Sequence, residues 1–300
     1  MKKDFLTIRD WSEHEIRDTL NLAERMKQGE IHPRPLEGKT VALIFHKPSL
    51  RTRISFETGV VELGGHGLFI TDAEIKLGER ESIADIARVL SRYVAMIVIR
   101  TYSQDHVVEL ARHASVPVIN ALTDKYHPCQ IMGDILTAYE HLGRMDDLAV
   151  AFLGDGNNVF HSWANLAAKI PLDLRLGTSE QTMPDPEVVA YAREQGKSKI
   201  TITHDPAEAV CDADVVYTDV WASMGQKHLV EERLRWLQKF QVNADLMKKA
   251  KKSAIVMHCL PAERGREITD DVIEGRQSVV FDEAENRLHA QKAIMVKLLE

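Results

Sequence analysis

The chain has little of what marks a secreted, membrane-spanning or nucleic-acid-binding protein. Three cysteines occur in 300 residues, Cys129, Cys211 and Cys259, and none forms a CxxC pair. A disulfide framework or a zinc site is therefore not expected, and a reducing cytoplasm is the default compartment. No apolar run approaches the roughly 20 residues of a bilayer-spanning helix. The start, Met1-Lys2-Lys3-Asp4-Phe5, has no apolar signal core behind it. Basic residues are outnumbered, 38 Lys and Arg against 45 Asp and Glu, for a net charge of −7. That balance argues against a nucleic-acid partner, which calls for a basic surface. Repeats, low-complexity tracts and obvious linkers are also lacking.

What is present is a sustained alternation of strand and helix signals. The length allows roughly two domains, and the apolar fraction of 44% suits a globular core. Short apolar runs predict strands at 41–45, 66–70, 94–99, 117–119, 148–153, 172–176, 199–203, 214–218, 254–257 and 279–281. Ser12 with Glu15, and Ser82 with Asp85, read as capping boxes that open helices. Further helices are predicted at 104–113, from Pro128 to a stop at Gly143, after Asn158, and over 185–195, 206–211, 228–237, 243–250 and 284–299, while 71–81 reads as a loop. The fold class is α/β, two doubly wound parallel-sheet domains with a cleft between them. The first domain is expected over 1–140 plus the C-terminal helix 284–300, the second over 141–283.

One stretch dominates the chemistry, His46-Lys47-Pro48-Ser49-Leu50-Arg51-Thr52-Arg53-Ile54-Ser55-Phe56-Glu57. It lies where a buried strand passes into a helix, so its hydroxyls and arginines meet the unpaired N–H groups and positive dipole end of a helix N-terminus, a natural anion site. Arg51 and Arg53 add planar donor forks suited to phosphate or carboxylate. The bland alternative is a basic helix start with solvated arginines. Arg51, Arg100, His127, Asn158, Asp219 and Cys259 all follow the carboxyl end of a predicted strand, where open α/β sheets bind ligands.

Taken singly, each piece is ambiguous. Gly154-Asp155-Gly156-Asn157-Asn158-Val159 begins like a dinucleotide fingerprint, but Val159 stands where the third glycine belongs, so NAD is not expected. His127 before Pro128 could be a turn histidine, Asp219 a local cap, and Cys259 an inert buried thiol. Lys248, Lys249, Lys251 and Lys252 read as a solvated helix end, and Trp163 and Trp236 as core.

Together the stretches resemble the ornithine carbamoyltransferases, within the aspartate/ornithine carbamoyltransferase superfamily. The matching motifs are Ser49-Leu50-Arg51-Thr52-Arg53, His127-Pro128-Cys129-Gln130, Gly154 to Asn158, Asp219 to Gly225, His258-Cys259-Leu260-Pro261 and Glu285-Asn286-Arg287, in the family's order over nearly the whole chain. The resemblance implies transfer of a carbamoyl group from carbamoyl phosphate to the δ-amine of ornithine, giving citrulline and phosphate, in the cytoplasm and within arginine biosynthesis. It implies no cofactor and no metal. It places carbamoyl phosphate on the first domain and ornithine on the second, in a homotrimer with sites at subunit interfaces.

By the same resemblance Ser49, Leu50, Arg51, Thr52 and Arg53 hold the phosphate through side chains and backbone N–H groups. Arg100 bridges phosphate and carbonyl oxygen, His127 donates to that oxygen, and Gln130 holds the carbamoyl nitrogen. Asn158, Asp219, Ser223 and Met224 take ornithine. Cys259 and Leu260 lie near the amine and the carbamoyl group, and Arg287 near the reacting carbon. Two positions depart from the family. Leu50 replaces a frequent threonine, and Lys76 lies in the loop where many members place a glutamine that reaches carbamoyl phosphate. Two other readings stay open, a non-catalytic subunit that binds carbamoyl phosphate or an amino acid, and a sister transferase acting on putrescine or acetylornithine.

Overall fold

Among the described residues, nine short runs of β-branched and aliphatic residues form the strands, and all of these pair in parallel. A computed structural model describes residues 2–78, 80–221 and 230–300. The chain divides into two compact units, Met1–Gly133 with Asn286–Glu300, and Asp134–Glu285. No described helix is long and apolar enough to cross a membrane.

In the first unit α1 (Glu13–Lys27) opens on the predicted capping box, with Ser12 accepting from Glu15 N and Glu15 reaching back. Strand β1 (Thr40–Phe45) leads to α2 (Leu50–Glu62), β2 (His66–Thr71), a single turn α3 (Asp72–Ile75) and α4 (Ile83–Leu90). Then come β3 (Met96–Arg100), α5 (Gln104–His113), β4 (Val118–Leu122) and α6 (Pro128–Leu142). The sheet order is β2-β1-β3-β4. The central strands β1, β3 and β4 are buried almost throughout, as strands covered on both faces must be. Ile44, Ile97 and Ile99 of the sheet pack with Ile83, Ile86, Val107 and Leu110 of α4 and α5.

The second unit continues with β5 (Leu148–Leu153), α7 (Asn158–Ala167), β6 (Leu172–Gly177), α8 (Pro186–Glu194), β7 (Lys199–Thr203), α9 (Pro206–Val210) and β8 (Val215–Thr218). After it come α10 (Val230–Leu237), α11 (Ala244–Met247), β9 (Ile255–His258), α12 (Asp270–Ile273) and the start of α13 (Val280–Leu299). The order is β7-β6-β5-β8-β9. Each sheet reverses winding beside its first strand, between β1 and β3 and between β5 and β8. The carboxyl ends of those pairs are the switch points where ligands bind in this architecture.

Two predictions need correction. The loop expected at 71–81 contains the one-turn helix α3. Residues 279–281 do not form a strand, and the last helix starts at Val280 rather than 284. Parallel bonding to β9 is confined to 277–279, where Val256 N donates to the Gln277 carbonyl and Val279 N to the Val256 carbonyl. Glu283 N then already bonds the Val279 carbonyl in helical fashion. A three-residue apolar run does not distinguish strand from helix. Here Val280 turns inward and Phe281 outward, as helical spacing allows.

Within the first unit the returning end of α13 is tied down by ion pairs and hydrogen bonds. Lys292 reaches Glu62, Lys297 reaches Asp18 at 2.6 Å, and Lys27 donates to Asn286 at 2.8 Å. Gly133 lets α6 approach closely, since a Cβ there would lie 3.2 Å from the backbone nitrogen of Arg287.

Candidate active site

The first half-site forms at the β1/β3 switch point. The His46 backbone N–H donates to the Arg100 carbonyl at 2.9 Å, which hangs the 46–49 turn on the end of β3. Ser49 caps α2, its hydroxyl accepting from Thr52 N at 3.3 Å. Leu50 is solvent-exposed at the first turn, so its contribution is its open backbone N–H. Thr52 is buried, and its Oγ1 accepts from Arg287 Nη2 at 2.6 Å and from Arg100 Nη1 at 3.3 Å. A hydroxyl has two acceptor positions and one donor. With both acceptor positions engaged by guanidinium groups, the Thr52 proton is left for an incoming oxyanion. The Nε of Arg51 is buried without a hydrogen-bond partner, and its charge sits at the positive end of α2, an arrangement an anion would stabilise. Arg53 turns away, pairing with Glu57 and lying over the Phe69 ring at 3.7 Å. Of its groups the backbone N–H also bonds the Ser49 carbonyl, which leaves Arg53 the weakest of the expected ligands in the stretch.

His127 is buried beside this cluster. Burial, and then the charges of Arg287, Arg100 and Lys47, hold its imidazole well below the usual histidine range. At neutral pH it is therefore an uncharged ring with one N–H to donate. Gln130 lies buried one turn into α6. Its neighbour Cys129 is inert, its thiol pushed up to about 12 by burial.

The second half-site forms at the β5/β8 switch point. Asp219 follows β8, and its Oδ1 accepts from Val220 N at 2.8 Å and from the Cys259 thiol at 3.0 Å. Its Oδ2 accepts from Asn157 Nδ2 at 2.7 Å. Asn157 is also the N-cap of α7, taking Val159 N and Phe160 N on its oxygen. Asn158, the residue expected from the sequence, is the first helical residue and is buried. Burial, then the Asp219 carboxylate, pushes the Cys259 thiol well up, so it stays protonated and donates. Leu260 follows with φ 54° and its N–H bonded to His258 Nδ1 at 2.9 Å. The glycines of the dinucleotide-like loop have local duties. A Cβ on Gly154 would meet the Trp221 ring at 3.2 Å, and one on Gly156 the Pro184 nitrogen at 2.5 Å.

Asp219, His258 and Cys259 lie close enough together to be considered as metal ligands. The donor set does not fit one. His258 Nδ1 accepts from Leu260 N, so Nε2 carries the ring proton and donates to buried Glu267 at 3.1 Å. Both ring nitrogens of His258 are thereby engaged, whereas metal ligation needs a free imidazole nitrogen.

Each unit thus gathers its own share of the expected residues: Ser49, Leu50, Arg51, Thr52, Arg100, His127, Gln130 and Arg287 in the first, and Asn158, Asp219, Cys259 and Leu260 in the second. Lys76 stands apart in a left-handed conformation at the end of α3, where it lines a small cavity with Ala73, Glu74 and Arg80. Ser223 and Met224 lie outside the described residues. Two residues were missed. Lys47 is buried, pairs with Asp124 and lies over the Tyr102 ring at 4.9 Å. Asn157 holds Asp219, and its place just before a helix was a readable N-cap signal.

Family models place the first boundary nearby, at 140 to 146, while the second model also takes in the C-terminal segment that packs with the first unit. Residues 3–140 match the carbamoyl-P binding domain of aspartate/ornithine carbamoyltransferase, and residues 146–298 match its Asp/Orn binding domain. The chain belongs to the aspartate/ornithine carbamoyltransferase family. Among its relatives, the ornithine carbamoyltransferase of Methanocorpusculum labreanum is 49% identical, covering 100% of this chain and 99% of the relative. That of Geobacter metallireducens is 51% identical, with 100% of both covered. The crystal structure of the ornithine carbamoyltransferase from Pyrococcus furiosus superposes with a TM-score of 0.94 at 48% identity, covering 98% of this chain and 96% of that one.

For this member of the carbamoyltransferase family the protonation state of His127 is directly measurable. Its depressed value means that the folded ring refuses the proton an unfolded histidine takes up below pH ~6.5. Nitrogen NMR should therefore show His127 still neutral at pH 6. A protonated ring there would contradict the buried, arginine-flanked site.

Proposed function

We infer that the chain is an enzyme that transfers the carbamoyl group of carbamoyl phosphate to the δ-amine of L-ornithine, giving L-citrulline and phosphate. The observation that carries this reading is the convergence of Arg100 and Arg287 on the Thr52 hydroxyl at a helix N-terminus, beside a neutral histidine. Phosphate is held by Ser49, Arg51, Thr52, Arg53 and the open N–H groups of α2, with Lys76 as a further phosphate ligand. The amine lone pair attacks the carbamoyl carbon, a C–N bond forms, and the carbonyl π pair moves onto oxygen. Arg100 and the neutral His127 donate to that oxygen, each preorganised donor being worth about 10²–10³ in rate. Gln130 orients the carbamoyl nitrogen and Arg287 lies at the reacting carbon. When the oxyanion collapses, the C–O bond to phosphate breaks and phosphate leaves with the bonding pair. It is then the strongest base at hand and takes the proton the amine sheds.

Ornithine falls to the second unit. Asp219 provides the anion for its side-chain ammonium, with Cys259 and the Leu260 carbonyl beside it. Asn158, Ser223 and Met224 take the amino-acid end. The protonated Cys259 thiol orients Asp219 and does not act as a nucleophile. The amine must be neutral to attack. With a lysine-like pKa of ~10.4, reaching that form at pH 7 costs about 4.6 kcal/mol, so kcat/KM for ornithine should rise from pH 7 toward 9. A panel of ornithine, acetylornithine, putrescine, lysine and aspartate under saturating carbamoyl phosphate tests the reading. Ornithine should lead in kcat/KM, Asp219→Ala should nearly abolish its turnover, and Cys259→Ser should keep part of it. A better acceptor, or an unchanged ratio in Asp219→Ala, defeats it.

We further propose that the enzyme is a cytoplasmic homotrimer of arginine biosynthesis. All three cysteines are free, as a reducing compartment requires. Leu50, Ile54 and Val61 form one exposed apolar stripe along α2, and a surface of this kind suits a subunit contact. Light scattering on active enzyme should give about three times the 33.9 kDa chain mass. A fully active monomer would rule the trimer out.

A further inference from the structure

The second unit contains a buried acid that the reaction as described does not use. Glu283, near the start of α13, is fully buried. Its Oε1 accepts from the Tyr217 hydroxyl at 3.2 Å, and its Oε2 from the His258 backbone N–H at 2.8 Å. Its carboxyl group also hydrogen-bonds that of Asp134 on α6, itself fully buried. Two buried carboxyl groups this close repel one another strongly when both are ionised, which favours a proton held between them. Burial first, and then the Asp134 charge, raises Glu283 well above the carboxylate range, which keeps that proton in place at neutral pH.

The groups around this pair define what it does. Tyr217 on β8 is stacked on Phe152 at 5.2 Å and meets Trp163 edge-on at 6.0 Å, so its hydroxyl is fixed. Burial, then the charges of Asp134 and Glu283, raises it well above the usual phenol range, and it remains a donor. His258 ends β9 directly before Cys259, and Cys259 donates to Asp219. A continuous series of hydrogen bonds and one peptide link therefore runs from Asp134 through Glu283 and His258 to the thiol on Asp219. Asp134, Glu283 and Tyr217 are not among the residues assigned to either substrate.

We propose that Glu283, through its bonds to the His258 backbone N–H and the Tyr217 hydroxyl, is a positioning residue that sets the 258–260 turn and so aims Cys259 at Asp219. The inference rests on the reading that Asp219 meets the ornithine amine. Glu283→Gln keeps an oxygen for His258 N and offers an amide N–H to Asp134, so it preserves the charge of the pair and gives up only the Tyr217 bond. Glu283→Ala removes all three bonds.

Kinetics in both substrates, together with mass-spectrometric alkylation of Cys259 followed separately from exposed Cys211, test the proposal. Glu283→Gln should stay within about threefold of wild type, while loss of bonds to a charged group in Glu283→Ala should raise the ornithine KM about tenfold or more. The carbamoyl phosphate KM should barely move, and Cys259 alkylation should speed up in Glu283→Ala alone. Should Glu283→Ala not fold, Glu283→Asp withdraws the carboxyl from His258 N by one methylene and should show the same split. The proposal is overturned if Gln is as damaging as the truncating variant, or if both KM values shift alike with Cys259 alkylation unchanged. Asp219→Ala run alongside separates the two readings. If it leaves the ornithine KM unchanged, the amine assignment fails, and Cys259 alkylation still decides the role of Glu283.

Discussion

A single buried hydroxyl, that of Thr52, holds two guanidinium groups that come from distant parts of the first unit. Arg100 arrives on the end of β3 and Arg287 on the returning helix α13. Much of that unit can be understood as what this meeting requires. The helix α2 must start where β1 ends, so that Thr52 falls in its first turn. The end of α13 must return to the first unit, which Lys292, Lys297 and Lys27 secure. Gly133 must have no side chain, because α13 passes against it at Arg287.

The two units meet opposite electrostatic demands. Arg51, Arg100, Arg287 and Lys47 concentrate positive charge around the start of α2, and like charges gathered out of water repel one another unless an anion or a partner offsets them. Asp124 partly does so for Lys47. On the proposed reading the rest of the offset falls to a bound phosphate, and burial, with the same field added, keeps His127 neutral and able to donate. The second unit is acidic where the first is basic, with Asp219, Asp134 and Glu283 arranged near Cys259 and Tyr217. There the carboxyl pair reduces its own repulsion by keeping a proton, and Asp219 alone presents a carboxylate held by Asn157, Val220 and Cys259. A cationic acceptor and an anionic donor are thus matched to different units.

Much of this was legible in the residues themselves. The apolar runs 41–45 and 148–153 lie within one residue of β1 and β5, because strands buried on both faces leave a continuous signal. The placement of Arg100, Asp219 and Cys259 at strand ends was likewise readable, since topology alone decides which end of a parallel sheet holds function. What was not readable depends on contacts distant in sequence. Asn157 and Asn158 are adjacent asparagines, and only the packing of α7 shows which one reaches Asp219. Lys47 carries no sign of burial in the sequence, and only the fold sets it against Asp124 and Tyr102. Asp134 and Glu283 are separated by most of the second unit, and each alone reads as an ordinary helix carboxylate. The apolar run from Val279 to Phe281 misled because its outer residue, Phe281, stays exposed on α13.

The central claim is that the Thr52 hydroxyl organises the carbamoyl phosphate site. Thr52→Val keeps the side-chain shape and removes only the oxygen, so calorimetry of carbamoyl phosphate binding to this variant addresses it most directly. The two hydrogen bonds to charged groups, each worth about 1.5–3 kcal/mol, lie within the protein itself, so their loss should lower the melting temperature of a chain that still folds. With both arginines released and the hydroxyl gone, the carbamoyl phosphate affinity should fall by about tenfold or more. Unchanged affinity in a folded Thr52→Val protein would contradict the account.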